Sequence, residues 1–183
     1  MASTGWLLPT ANTVEAGDGT WTNDTEILTD DGTEATLSVA VKNTTGRWNA
    51  GQTFNFDSAI PAGATITKVE IRADWRIAST ASTVIAILEL QAFVSAGAVG
   101  SVSANSSEPT TLTTDTFDIT ADRSWTRADL LNGTFELKVR GRNGNDADDP
   151  SYRVDHIAAQ IEYSTSKKRT IAALLARRAL TFR

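Results

Sequence analysis

Lys68-Val-Glu-Ile-Arg-Ala-Asp-Trp-Arg-Ile77 alternates without a fault: Val69, Ile71, Ala73, Trp75 and Ile77 occupy one parity, and Lys68, Glu70, Arg72, Asp74 and Arg76 the other. Side chains of an extended chain point to opposite faces at a period of two, so this stretch predicts a strand with one face in a core and one in water. Working outward, Ala35, Leu37, Val39 and Val41 repeat the pattern over 35–42, and Phe135, Leu137 and Val139 repeat it over 133–142. Thr83 to Ser95 is apolar on both parities and predicts a central strand covered on both faces. Tyr152 and Val154 lie on one parity, whereas Ile157, Ala159, Ile161 and Tyr163 lie on the other, and a β-bulge near Asp155 reconciles them.

Shorter strands are expected over 52–56, 98–103 and 111–119, with turns at Pro61-Ala-Gly and Asn143-Gly-Asn-Asp. Thr126 and Asp129 have capping-box spacing, and Asn132-Gly133 stops the single helical turn that they begin. About eight to ten strands with intervening turns predict an all-β chain, an antiparallel two-sheet β-sandwich of jelly-roll type, over residues 1–163. A chain of 183 residues is long enough for one such core, and with no cysteine it must be stabilised by packing.

Residues 164–183 break the pattern. They carry Lys167, Lys168, Arg169, Arg177, Arg178 and Arg183 and no acid, leaving 11 of the 17 basic residues against all 22 acids in the body. A body near −11 and a tail near +6 predict a folded domain and a separate docking segment. Ile171, Leu174, Leu175 and Phe182 are its candidate apolar anchors, and a short helix or an extended strand suits the Ala- and Leu-rich composition. Docking on a protein subunit is expected over disorder, nucleic acid or membrane. The acidic body opposes phosphate binding, and Arg178 interrupts the apolar stripe a membrane helix needs. The N-terminus lacks the basic start of a secretory signal.

Chemistry is sparse. No phosphate loop, His/Cys cluster or dinucleotide fingerprint is present. His156 is the sole histidine, and on a regular strand Asp155 would point away from it, so a surface histidine is expected rather than a triad. The pairs Asp30-Asp31 and Asp148-Asp149 read as turn residues before glycosidase acids. No cofactor is expected: the loop carrying Asp146, Asp148 and Asp149 gathers oxygen ligands of the kind calcium takes, but its spacing does not match an EF-hand and it reads first as a solvated hairpin loop. Trp75 belongs to the core by parity, while Trp21, Trp48 and Trp125 sit in polar, turn-like contexts, where they read first as anchors of loops to the sandwich and second as candidate glycan-stacking residues.

Gly5-Trp6, Gly19-Thr-Trp21-Thr-Asn23, Asp30-Asp-Gly-Thr-Glu-Ala35, Phe56-Asp-Ser-Ala-Ile-Pro-Ala-Gly-Ala-Thr-Ile66, Ser124-Trp-Thr-Arg-Ala-Asp-Leu-Leu-Asn-Gly-Thr-Phe135 and Val154-Asp-His-Ile-Ala-Ala-Gln-Ile-Glu-Tyr163 follow one another in this order. The progression resembles a family of phage-encoded β-sandwich virion proteins over residues 5–163. Asn23-Asp24, where that family often has Asn-Pro, and the basic tail depart from it. The resemblance implies a non-enzymatic structural protein in the virion, a capsid decoration, minor capsid or tail protein, partnered by other virion subunits and by copies of itself. The alternative is a tail-fibre or baseplate module that binds a carbohydrate receptor.

Overall fold

The computed structural model describes residues 1–39, 44–78, 86–144 and 150–165. Twelve strands among them form two six-stranded sheets. They run β1 Ala2–Leu7, β2 Ala11–Val14, β3 Thr20–Thr22, β4 Ala35–Ser38, β5 Asn49–Gln52, β6 Thr65–Ile77, β7 Ala86–Val94, β8 Gly97–Ala98, β9 Ser103–Asn105, β10 Thr113–Asp118, β11 Glu136–Asn143 and β12 Ser151–Ser164. The first sheet has the order β10-β6-β12-β4-β3 with β1 on β12, and the second β2-β5-β11-β7-β8 with β9 on β7. From β4 to β7 the chain alternates between sheets at every strand, and it does so again from β9 to β12. The resulting neighbours, β4-β12-β6-β10 over β5-β11-β7-β9, are those of a jelly roll.

The alternating stretch Lys68 to Ile77 lies in β6, and Val69, Ile71, Ala73, Trp75 and Ile77 are buried to 1% exposure or less. Its partner β12 is the longest strand, and its register slips between Val154 and His156, the bulge that the parity change at Asp155 predicts. Across the sandwich Leu88, Leu90, Leu137 and Val139 face inward, while Phe54, Phe56 and Phe135 pack as one aromatic cluster with centroids 5.3–5.6 Å apart. Each such side chain contributes roughly 1.5–3 kcal/mol when buried, so packing supplies what disulfides do not.

The helical turn is present over Arg127–Leu130 with both capping-box hydrogen bonds. Residues 52–56 are not a strand: β5 ends at Gln52, Thr53 and Asn55 have φ of 60° and 59°, and Phe56–Ala59 forms a helical turn, α1. The expected strand over 98–103 is two short pieces, β8 and β9, joined by a loop. Most of the tail, including Lys167, Lys168, Arg169, Ile171, Leu174, Leu175, Arg177, Arg178, Phe182 and Arg183, lies outside the described residues, as do Asp146, Asp148 and Asp149.

Candidate functional site

Burial gives two of the three candidate tryptophans the loop-anchoring role rather than the glycan-stacking one. Trp21 is 8% exposed and its Nε1 donates to the Arg47 carbonyl at 3.0 Å; Trp125 is 9% exposed and donates to the Ile119 carbonyl at 3.1 Å. Polar neighbours hid this, because residues beside a buried strand or loop anchor point the other way. Both indoles pin loops to the core and leave no ring face for a ligand.

Trp48 is different. It directly precedes β5 and lies half-buried on the outer face of the second sheet. One parity of the strands turns to that face: Gln91 and Phe93 from β7, Glu136, Arg140 and Arg142 from β11 with Lys138 covered among them, and Gln52 from β5. Trp48 and Phe93 meet edge to face with centroids 6.3 Å apart and planes at 76°. They meet above Lys138, whose Nζ lies 4.0 Å from the Phe93 centroid. The Arg140 guanidinium lies 4.0 Å from the Trp48 centroid, an arrangement in which the ring quadrupole attracts the cation.

The polar groups around the two rings neutralise one another. Arg140 and Arg142 donate to the two oxygens of Glu89 at 2.7 and 3.0 Å, Lys138 pairs with Glu15 and with Glu136 at 3.4 Å, and Gln52 Nε2 donates to Glu136 at 2.7 Å. Three acids and three bases therefore share the face. Each pair fixes a long side chain, so donors and acceptors are held in place around an aromatic centre. These groups lie across the outer face of neighbouring strands, an arrangement that suits an extended ligand laid across them. Phe93 escaped the sequence reading because it sits in an apolar run that reads as core on both parities.

On the opposite sheet, His156 is 1% exposed, not a surface histidine. The bulge turns Asp155 and His156 to the same side, with Nδ1 3.2 Å from Asp155 Oδ2. No nucleophile completes a triad among the described residues; the other ring nitrogen meets Arg72 Nη2 at 3.1 Å. Asp30 and Asp31 occupy an exposed turn in which the Thr33 amide donates to Asp31 at 2.9 Å, and this backbone hydrogen bond holds the Asp31 carboxyl below its ordinary range. No described helix is long and apolar enough to cross a membrane.

No family model matches the chain, and no curated protein matches it. Among solved structures it is similar to a CBM4 carbohydrate-binding module, at 13% identity and a TM-score of 0.47, with 86% of this chain and 95% of that one covered. It is also similar to the CBM22-1 xylan-binding domain from Paenibacillus barcinonensis Xyn10C, at 12% identity and a TM-score of 0.43, covering 90% and 96%.

Proposed function

We propose that this chain is a non-catalytic binding module that takes a neutral, extended glycan across the outer face of the β2-β5-β11-β7 sheet. The observation that carries the reading is the aromatic pair Trp48 and Phe93 set among charge-balanced, mutually fixed polar side chains. Sugar rings present apolar C–H faces and a rim of hydroxyls, so they need flat aromatic surface beside donors and acceptors that are already oriented. A polyanionic ligand gains little from a face with as many acids as bases on a body near −11. Among the described residues the face carboxylates Glu15, Glu89 and Glu136 are each engaged by a cation or an amide rather than paired as the two free acids glycoside hydrolysis uses. A glycan array tests the reading: neutral polysaccharide signals should appear with the wild-type chain and vanish with Trp48→Ala. An array blank for the wild type, or signals unchanged in that variant, contradicts it.

The segregation of charge favours a second reading, compatible with the first, in which the module is a virion component docked through residues 164–183. The +6 segment would steer onto an acidic partner surface, and its Ile, Leu and Phe side chains would be buried there. Removing residues 166–183 should leave a folded sandwich that no longer enters particles; wild-type incorporation of the truncated chain contradicts the tether.

A further inference from the structure

We propose that Asp30, Asp155 and Nδ1 of His156 form a site for one divalent transition-metal ion, with zinc the best match, that fastens the loop after Leu28 to the outer face of β12. The three donor atoms lie within 4.8 Å of one another. Nδ1 is 3.2 Å from Asp155 Oδ2 and 3.6 Å from Asp30 Oδ1. Ligands about 2.0–2.2 Å from a tetrahedral zinc ion are themselves separated by about 3.3–3.6 Å, so both carboxylates already stand at nearly the right distance from Nδ1. Two of its members are buried, Asp155 and His156 both at 1% exposure, while Asp30 is 58% exposed at its side chain and leaves an entry path and room for solvent ligands. An imidazole with two carboxylates selects a borderline ion, whereas calcium prefers an all-oxygen set.

A separate observation on the far side of the ring points the same way. Asp74 Oδ1 is buried with no hydrogen-bond partner, 3.9 Å from His156 Nε2. Metal-ligating histidines usually donate their second ring N–H to such an acceptor. In the metal-free ring the Arg72 guanidinium can only donate to Nε2, so the proton sits on Nδ1 and Asp74 stays unpaired. An ion on Nδ1 moves the proton to Nε2, which then repels the Arg72 donor and turns to Asp74 Oδ1 by closing the 3.9 Å gap between them. Asp155 keeps its hold on the loop meanwhile, because its other oxygen accepts from the Gly32 amide at 2.9 Å.

The chain has one histidine and no cysteine, so any imidazole signal belongs to His156 alone. The full chain, made without a histidine tag, is titrated with zinc chloride while calorimetry follows binding and nitrogen-15 spectra follow the imidazole. The expected result is one ion per chain, a large shift at Nδ1 and the ring proton moved from Nδ1 to Nε2. Asp30→Ala, an exposed loop change that should leave the circular dichroism spectrum unaltered, weakens binding at least tenfold, and Asp74→Ala weakens it roughly 10- to 100-fold. Imidazole signals that stay put at saturating zinc overturn the site. So does an Asp30→Ala chain that binds zinc as the wild type does, or calcium binding more tightly than zinc while the imidazole signals stay put.

Discussion

Replacing Trp75 separates the two ways in which β6 holds the sandwich together. The indole is fully buried, lies 6.5 Å from the Tyr152 ring at 24°, and donates from Nε1 to Asp115 Oδ2 at 2.5 Å, tying β6 to the edge strand β10. Trp75→Ala removes the packing and the bond together, a change worth about 3–5 kcal/mol in buried aromatic sites. Trp75→Phe keeps most of the packing and removes the bond to a carboxylate, worth about 1.5–3 kcal/mol. Asp115 then retains only the Asn105 amide at 2.7 Å. For a domain of this size 1 kcal/mol moves Tm by about 2–4 °C. Thermal unfolding followed by far-ultraviolet circular dichroism should therefore show a loss of about 6–20 °C for Trp75→Ala and about 3–12 °C for Trp75→Phe. A Trp75→Ala Tm within about 2 °C of wild type, against this 2–4 °C per kcal/mol scale, would refute the packing assignment. Equal losses in the two variants would refute the partition.

Asp129→Asn should cost about 1 kcal/mol at neutral pH by weakening the capping box of the Arg127–Leu130 turn. Burial opposes charge on Asp129, but Arg123 at 2.7 Å and Thr126 outweigh it and lower the folded pKa below 3.8. The contribution is therefore present above pH 4 and lost as pH falls through the lowered value, so urea midpoints of variant and wild type should converge in acid. A constant gap down to pH 2 would contradict this. Burial pushes the Tyr152 phenol far up from 10.0, and its hydroxyl donates to the Arg142 carbonyl at 2.6 Å. A folded pKa above the unfolded one stabilises the fold below pH 10 and ceases to do so as pH climbs through the higher value. In a Tyr163→Phe chain, phenolate absorbance should appear only together with unfolding; its appearance in the folded chain would place Tyr152 in contact with solvent.

Much of the architecture was legible because parity and turn chemistry are local. The alternation of Lys68 to Ile77 named the core face of β6, the parity change at Asp155 located the bulge, and Thr126 with Asp129 marked the helical turn. What was hidden depends on contacts between distant segments. β1 and β2 form by pairing with β12 and β5, and nothing in Ala2–Leu7 or Ala11–Val14 alone requires strand. Left-handed Thr53 and Asn55, neither a glycine, ended β5 early. For the site, Trp48 was named, but Phe93 reaches it only across β11, a pairing invisible in one dimension. On a regular strand His156 would face solvent, opposite Asp155, but the bulge between Val154 and His156 turns both side chains to one side and buries the imidazole.

The five tryptophans give five indole N–H resonances, of which Trp48 alone should respond to ligand. With the neutral polysaccharide selected on the array, the Trp48 indole should shift on titration and the Phe93 ring signals with it. Trp75, Trp21 and Trp125, whose N–H groups are bound to Asp115, Arg47 and Ile119, should stay still. Trp6, which meets Arg72 on the other sheet at 4.6 Å, should also be silent. A still Trp48 at saturating polysaccharide, or a titration that moves Trp6 instead, would contradict the binding face proposed on the second sheet.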